Sequence, residues 1–98
     1  MKYRYEFSET ALEDLADIWS FFARVSGDEA AQKRVDMIFA RVEEMSVFPE
    51  FGVLHQGKRR DVRRWLAGIH IVFYTFDGEV IRVQRILNAS RGDLEAEI

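Results

Sequence analysis

The residues best able to do chemistry are arginines set on an otherwise hydrophobic stretch from Val62 to Arg91. Arg63 and Arg64 come first, then Arg82 and Arg85, then Arg91. Each carries a planar, permanently charged fork that matches phosphate or carboxylate oxygens two at a time. Trp65 and Tyr74 lie in the same stretch and either stack on bases, fill a partner's pocket, or pack in the core. Just upstream, Lys58, Arg59 and Arg60 adjoin Arg63 and Arg64 to make a basic patch. That patch reads either as a binding surface or as a charged strand edge that resists aggregation.

Other chemistries lack their residues. Gly57, Gly68 and Gly78 fall in separate turns, so no glycine-rich loop cradles a phosphate. His55 and His70 are not at metal-ligand spacing, and no acidic cluster stands near either in sequence. The serines have no Gly-x-Ser-x-Gly setting, and Ser8 is better read as a helix cap. With no cysteine there is neither a disulfide framework nor a thiolate nucleophile. The expectation is a site with no metal, no cofactor and no catalytic residue of the hydrolase kind.

The arginines need a sheet to hold them, and the sequence supplies one. Asp61 to Leu66 reads as a strand, and Ala67-Gly68 as a tight link. Ile69 to Phe76 follows as an apolar, β-branched and aromatic run. Asp77-Gly78 is a dipeptide suited to a type I′ hairpin turn. Val80 to Leu87 then alternates, with Ile81, Val83 and Arg85 on one face and Val80, Arg82 and Gln84 on the other.

Upstream, Lys2 to Phe7 alternates strictly, which predicts a half-buried strand. Ser8 is the expected cap of a first helix running to about Val25, its apolar stripe made of Leu12, Leu15, Trp19 and Phe22. Ser26-Gly27-Asp28 breaks it, with Asp28 the expected cap of a second helix. There Ala31, Val35, Ile38, Val42 and Met45 form a narrow helix–helix seam. Phe48-Pro49-Glu50-Phe51-Gly52 ends it, because proline cannot continue a helix. Residues 53–60 read as a loop, and Asn88 to Ile98 as a short tail with a helical turn near Asp93-Leu94-Glu95. The reading is one domain over residues 1–98: α+β, two layers, βααβββ, an antiparallel meander packed on an αα-hairpin.

Composition sets further limits. No apolar run approaches the roughly 20 residues that span a bilayer, and MKYRYEF lacks the apolar segment of a signal peptide. A cytoplasmic protein is expected. The net charge of −3 conceals an asymmetry. Residues 1–54 carry six basic and eleven acidic side chains, whereas residues 55–98 carry eight and six. An acidic chain is poorly suited to non-specific nucleic-acid binding, which draws its affinity from cations on phosphate.

Taken in order, these segments resemble the ParE toxins of the RelE/ParE superfamily of type II toxin–antitoxin modules. Ala11, Asp14-Leu15 and Ile18-Trp19 match the first-helix pattern, and Phe48 to Gly52 is similar to the family's Pro-x-x-Gly turn. Val62-Arg63, then His70 to Tyr74, resembles its arginine strand and the strand after it. Val80, Ile81 and Val83 to Leu87, then Arg91 and Asp93, resemble the closing strand and tail.

The resemblance implies a small toxin that inhibits DNA gyrase by binding, without a cofactor or catalysis of its own. It implies a cognate, ParD-like antitoxin that wraps the toxin in a hetero-oligomer. Gyrase and antitoxin are the expected partners, with no membrane and no direct nucleic-acid contact. On this footing the target-binding residues would be Arg63, Arg64, Trp65, Arg82, Arg85, Asn88 and Arg91. Arg63 and Arg85 have a second reading, as internal partners of the acidic helices. The alternative function is that of RelE relatives, which cleave mRNA on the ribosome. Against it, Asn88-Ala89 stands where many relatives carry His-Gly, and an amide cannot exchange a proton near neutral pH. A third reading is an inactive relative that only binds its antitoxin.

Overall fold

The computed structural model describes residues 1–90 of the 98-residue chain. Two helices and five strands follow in the order β1 (Arg4–Phe7), α1 (Glu9–Ser26), α2 (Asp28–Met45), β2 (Val53–Gln56), β3 (Asp61–Ala67), β4 (His70–Phe76) and β5 (Val80–Asn88). The sheet order is β1-β5-β4-β3-β2. The α+β class and the αα-hairpin on a meander are as expected, with two corrections. Val53–Gln56 is a fourth strand after the helices, paired antiparallel with β3, where a loop was expected. The sheet is mixed, because β1 lies parallel to β5. Neither pairing leaves a local signature. Four-residue VLHQ has too short a pattern to read, and parallel partners far apart in sequence depend on the helices between them.

Ser8 starts α1 as expected. Its Oγ accepts from the Ala11 N–H at 3.0 Å and donates to the Gln84 carbonyl at 2.9 Å. The cap thus also pins the helix start to β5. Gly27, at φ +93°, lets the chain reverse between the helices, and it occupies the cap position expected for Asp28. The helices bury Ala11, Leu15 and Ile18 from α1 and Ala31, Ile38, Val42 and Met45 from α2. Leu12, expected in the stripe, is exposed instead. The main core joins Ala11, Leu15, Ile18, Ile38, Val42 and Met45 to Ala67, Val72, Tyr74, Ile81, Val83 and Ile86 on one sheet face. A smaller cluster of Val62, Ile71, Phe73 and Leu87 lies on the other face.

The β4–β5 turn is not type I′, since Gly78 has a positive φ but Asp77 does not. Instead the Asp77 side chain accepts the N–H groups of Glu79 and Val80 at 2.9 and 2.8 Å. Those bonds, with the Arg82 guanidinium, hold its carboxyl down at about 2. The turn after α2 is clamped from the sheet. Tyr74 Oη is buried, donates to the Pro49 carbonyl at 2.8 Å and accepts from the Gly52 N–H at 3.1 Å. Gly52 is required there, because a Cβ would sit 2.2 Å from that oxygen.

The strict alternation expected along β5 breaks. Phe73 pairs with Arg85 but Tyr74 pairs with Val83, so Gln84 is an extra residue, a β-bulge. Ile81 and Val83 face the helices, as does Ile86 beyond the bulge. Arg85, expected on the same face as Ile81 and Val83, is turned to the register of Phe73 and Leu87.

Candidate functional site

The bulge is the feature that builds a site. It sets Gln84 and Arg85 side by side at the stretch of β5 that β1 leaves uncovered, where α1 begins. Arg85 is anchored rather than free. Its Nε and Nη2 donate to the two carboxylate oxygens of Asp14 at 2.8 and 3.0 Å, and Asp14 also accepts the Ile86 N–H at 2.9 Å. The pair is largely sequestered, with side-chain exposures of 19% and 11%. A bidentate pair of this kind fixes the plane of the guanidinium.

Beside it lies a cleft of about 140 Å³ lined by Ser8, Thr10, Arg59, Arg60, Val62, Gln84 and Arg85. Arg59 and Arg60 arrive from the β2–β3 loop, which a Gly57 N–H to Arg60 carbonyl bond closes at 3.1 Å. Their side chains make no ion pair among the described residues. Ser8 and Thr10 come from the start of α1, whose first N–H groups carry partial positive charge. The arrangement can bind an anion through forked hydrogen bonds. Its described lining residues include no carboxylate, histidine, lysine or tyrosine to exchange a proton.

The other expected site residues are scattered. Arg63 points to the helix side and donates to the carbonyls of Glu50 and Gly52, both at 2.9 Å. It thereby secures the same turn as Tyr74. Its partners are backbone carbonyls, whereas the internal reading expected an acidic side chain. Arg64 pairs across β3–β4 with Phe73 on the face away from the helices, and does not line the cleft. Trp65 packs against the core with Arg41 5.4 Å over its ring, so its flat face is already taken. Arg82 bridges Glu6 and Asp77 at 2.9 and 3.0 Å, an exposed link between β1 and the β4–β5 turn. Asn88 Oδ1 accepts from the Ser90 N–H and Oγ at 2.9 and 2.7 Å. Arg91 and the expected helical turn near Asp93 lie outside the described residues.

Among the described residues of the expected set, then, Arg85 alone lines the cleft, and Arg59 and Arg60 join it there. Reading them as one end of a single basic run hid that role. A bulge and a loop closure, both tertiary, bring them to Arg85.

A second concavity lies on the helix side. Phe21, Phe22 and Ile18 of α1 face Ile69, His70, Ile86, Leu87 and Asn88 across a groove of about 440 Å³, with Asp14 and Asp17 at its margin. His70 is 3% exposed, and its Nδ1 has no hydrogen-bond partner. Burial, and then the charge of Arg34, push its pKa below the usual imidazole value. Among the described residues no cluster of metal-ligating side chains is present, and no helix is long and apolar enough to cross a membrane.

Comparison with known proteins follows the same lines. No curated protein matches the sequence. A chain of the chromosomal ParDE toxin–antitoxin system from P. aeruginosa is similar in structure, with a TM-score of 0.76 and 20% identity, over 91% of this chain and 98% of that one. A chain of the archaeal RelE–RelB complex from Pyrococcus horikoshii is similar with a TM-score of 0.63 and 15% identity, over 94% and 100%. At such identities these likenesses speak to the fold. The family model described as the ParE toxin of the type II toxin–antitoxin system, parDE, matches residues 5–92, nearly the whole chain. The chain belongs to the ParE toxin family of type II toxin–antitoxin systems.

Proposed function

We infer that this toxin acts without catalysis, by binding DNA gyrase, and that a cognate ParD-like antitoxin holds it inactive in a hetero-oligomer in the cytoplasm. The choice of gyrase rests on family membership. The choice of binding over cleavage rests on one observation: among the described residues, the cleft at the β5 bulge is lined by three arginines with Ser8, Thr10, Val62 and Gln84. Arginine stays charged at any physiological pH, so it grips an anion but cannot act as general acid or base. Arg85, fixed by Asp14, supplies an oriented donor, while Arg59 and Arg60 supply two that make no ion pair among the described residues. This moves the target-binding surface from the broad set of Arg63, Arg64, Trp65, Arg82, Arg85, Asn88 and Arg91 to one centred on Arg85.

An antitoxin is supported by exposed apolar surface. Phe48, Phe51, Val53 and Leu54 are 52%, 74%, 69% and 59% exposed around the free edge of β2, where a partner strand could pair. The test is expression of the chain alone in a bacterial host, reading DNA damage and mRNA cleavage from the same culture, beside a supercoiling assay with purified gyrase. An SOS response, intact mRNA and inhibited supercoiling are expected. Arg59→Glu with Arg60→Glu should remove both effects while the melting temperature holds. Cleaved mRNA with active gyrase would overturn the reading in favour of a RelE-type endonuclease, whose phosphodiester substrate the same arginines could hold.

A further inference from the structure

The two edges of the sheet, β1 and β2, differ in kind. β1 carries exposed Arg4 and Glu6, and Lys2 and Tyr5 tie its flank to Glu43 of α2. β2 reads Val-Leu-His-Gln, with no lysine, proline or bulge of the kind that protects an edge. The Gly57 N–H bond to the Arg60 carbonyl sets the phase of the β2–β3 ladder. Bonded pairs alternate along an antiparallel ladder, so Val53 and His55 commit their backbone groups to β3. Leu54 and Gln56 therefore direct their N–H and C=O groups outward, away from the sheet. Charge flanks the strand unequally. Glu50 precedes it, and Lys58, Arg59 and Arg60 follow it, none with a side-chain ion pair among the described residues.

We propose that in the free chain this edge pairs with a second copy of itself, β2 to β2, about a two-fold axis. An axis normal to the sheet lays the two strands antiparallel. Leu54 of each copy then faces Gln56 of the partner, with His55 on the axis, and four backbone hydrogen bonds join the sheets. A two-fold contact uses one patch twice and must be complementary to itself. This patch is. Its outward donors and acceptors sit two residues apart, and the strand holds no carboxylate, lysine or arginine to repel its twin. Antiparallel pairing also brings the Glu50 end of each copy to the basic loop of the other. That loop carries Arg59 and Arg60 of the cleft, so each copy screens its partner's anion site. The inference goes beyond the toxin reading and does not require it. A strand of another protein laid on the same edge would compete with the second copy.

The test takes the purified full chain with no other protein present. Sedimentation equilibrium should show exchange between monomer and dimer and no larger species, because a two-fold contact closes on itself. Leu54→Pro removes an outward donor at an exposed position, and thermal melts confirm the fold. It should weaken the dimer by about tenfold or more, since each copy loses one backbone bond. Glu50→Arg should weaken it by about fivefold, through two exposed ion pairs. A second arm needs no folded proline variant. The chain has no cysteine, so a single introduced one reports contact between copies. His55→Cys should oxidise to a linked dimer, because opposed residues outside the bonded pairs of antiparallel strands lie within disulfide reach. Val53→Cys, displaced along the strand from its own twin, should stay unlinked. A chain that is monomeric at every concentration overturns the proposal. So does a dimer untouched by Leu54→Pro, or a link at Val53→Cys in place of His55→Cys.

Discussion

Asp14→Ala tests whether the site is built as described. The carboxylate is bonded twice to Arg85 and once to the Ile86 N–H. Removing it takes two hydrogen bonds from a guanidinium whose side chain is only 19% exposed and orphans a backbone donor next to the bulge. Breaking one partner of a buried pair costs about 3–5 kcal/mol. Arg85 keeps some contact with solvent at the cleft, so the lower figure of about 3 kcal/mol applies. For a domain of this length each kcal/mol moves the melting temperature by about 4–8 °C, which predicts a fall of at least about 10 °C. The assay is thermal unfolding by circular dichroism of Asp14→Ala, Arg85→Ala and the double variant. The double variant should lose clearly less than the sum of the two, with a coupling of about 1 kcal/mol or more, because either single change leaves a charge behind. A melting temperature within about 3 °C of wild type for Asp14→Ala, or strict additivity, would refute the idea that this pair holds Arg85 at the cleft.

Further outcomes are expected elsewhere. Tyr74→Phe leaves the Pro49 carbonyl and the Gly52 N–H without their buried partner. It should cost about 2 kcal/mol, read as a lower urea midpoint at unchanged m-value. Gly52→Ala places a Cβ 2.2 Å from Tyr74 Oη and 3.0 Å from the Arg64 carbonyl, so it should destabilise by more than about 2 kcal/mol, and restoring space with Tyr74→Phe should recover only part of that. His70 has a folded pKa below its ordinary 6.5. The unfolded chain therefore binds the proton more readily, and stability falls as pH drops below 6.5. Melting temperatures should decline from pH 7 to pH 5 and flatten in His70→Gln. Asp77 and Glu43, whose carboxyls are held low, should contribute their own loss only under more acid conditions. An unchanged pH slope in His70→Gln would contradict the histidine assignment.

What the sequence alone determined was most of what near neighbours govern, though not the cap of α2 or the type of the β4–β5 turn. The period of Ala31, Val35, Ile38, Val42 and Met45 made the α2 seam, with Val35 only partly buried. Ser8 marked the start of α1, and Pro49 the end of α2. The alternating and apolar runs from Asp61 to Leu87 made the meander, because side-chain period and turn residues act over a few positions. Family likeness was legible for the same reason, since those local patterns recur in order along the chain. The tertiary structure alone decided what each arginine does. Arg63 and Arg64 are adjacent in sequence, yet one secures the turn after α2 and the other lies on the opposite face. Arg85 was expected beside Ile81 and Val83 until the extra residue Gln84 turned it to the other face of the sheet. Its partner Asp14 lies 71 residues away and looked like any acid on a helix's polar face. A bulge appears only when two strands are laid against each other, and a buried charge chooses its partner only when the low-dielectric interior closes around both.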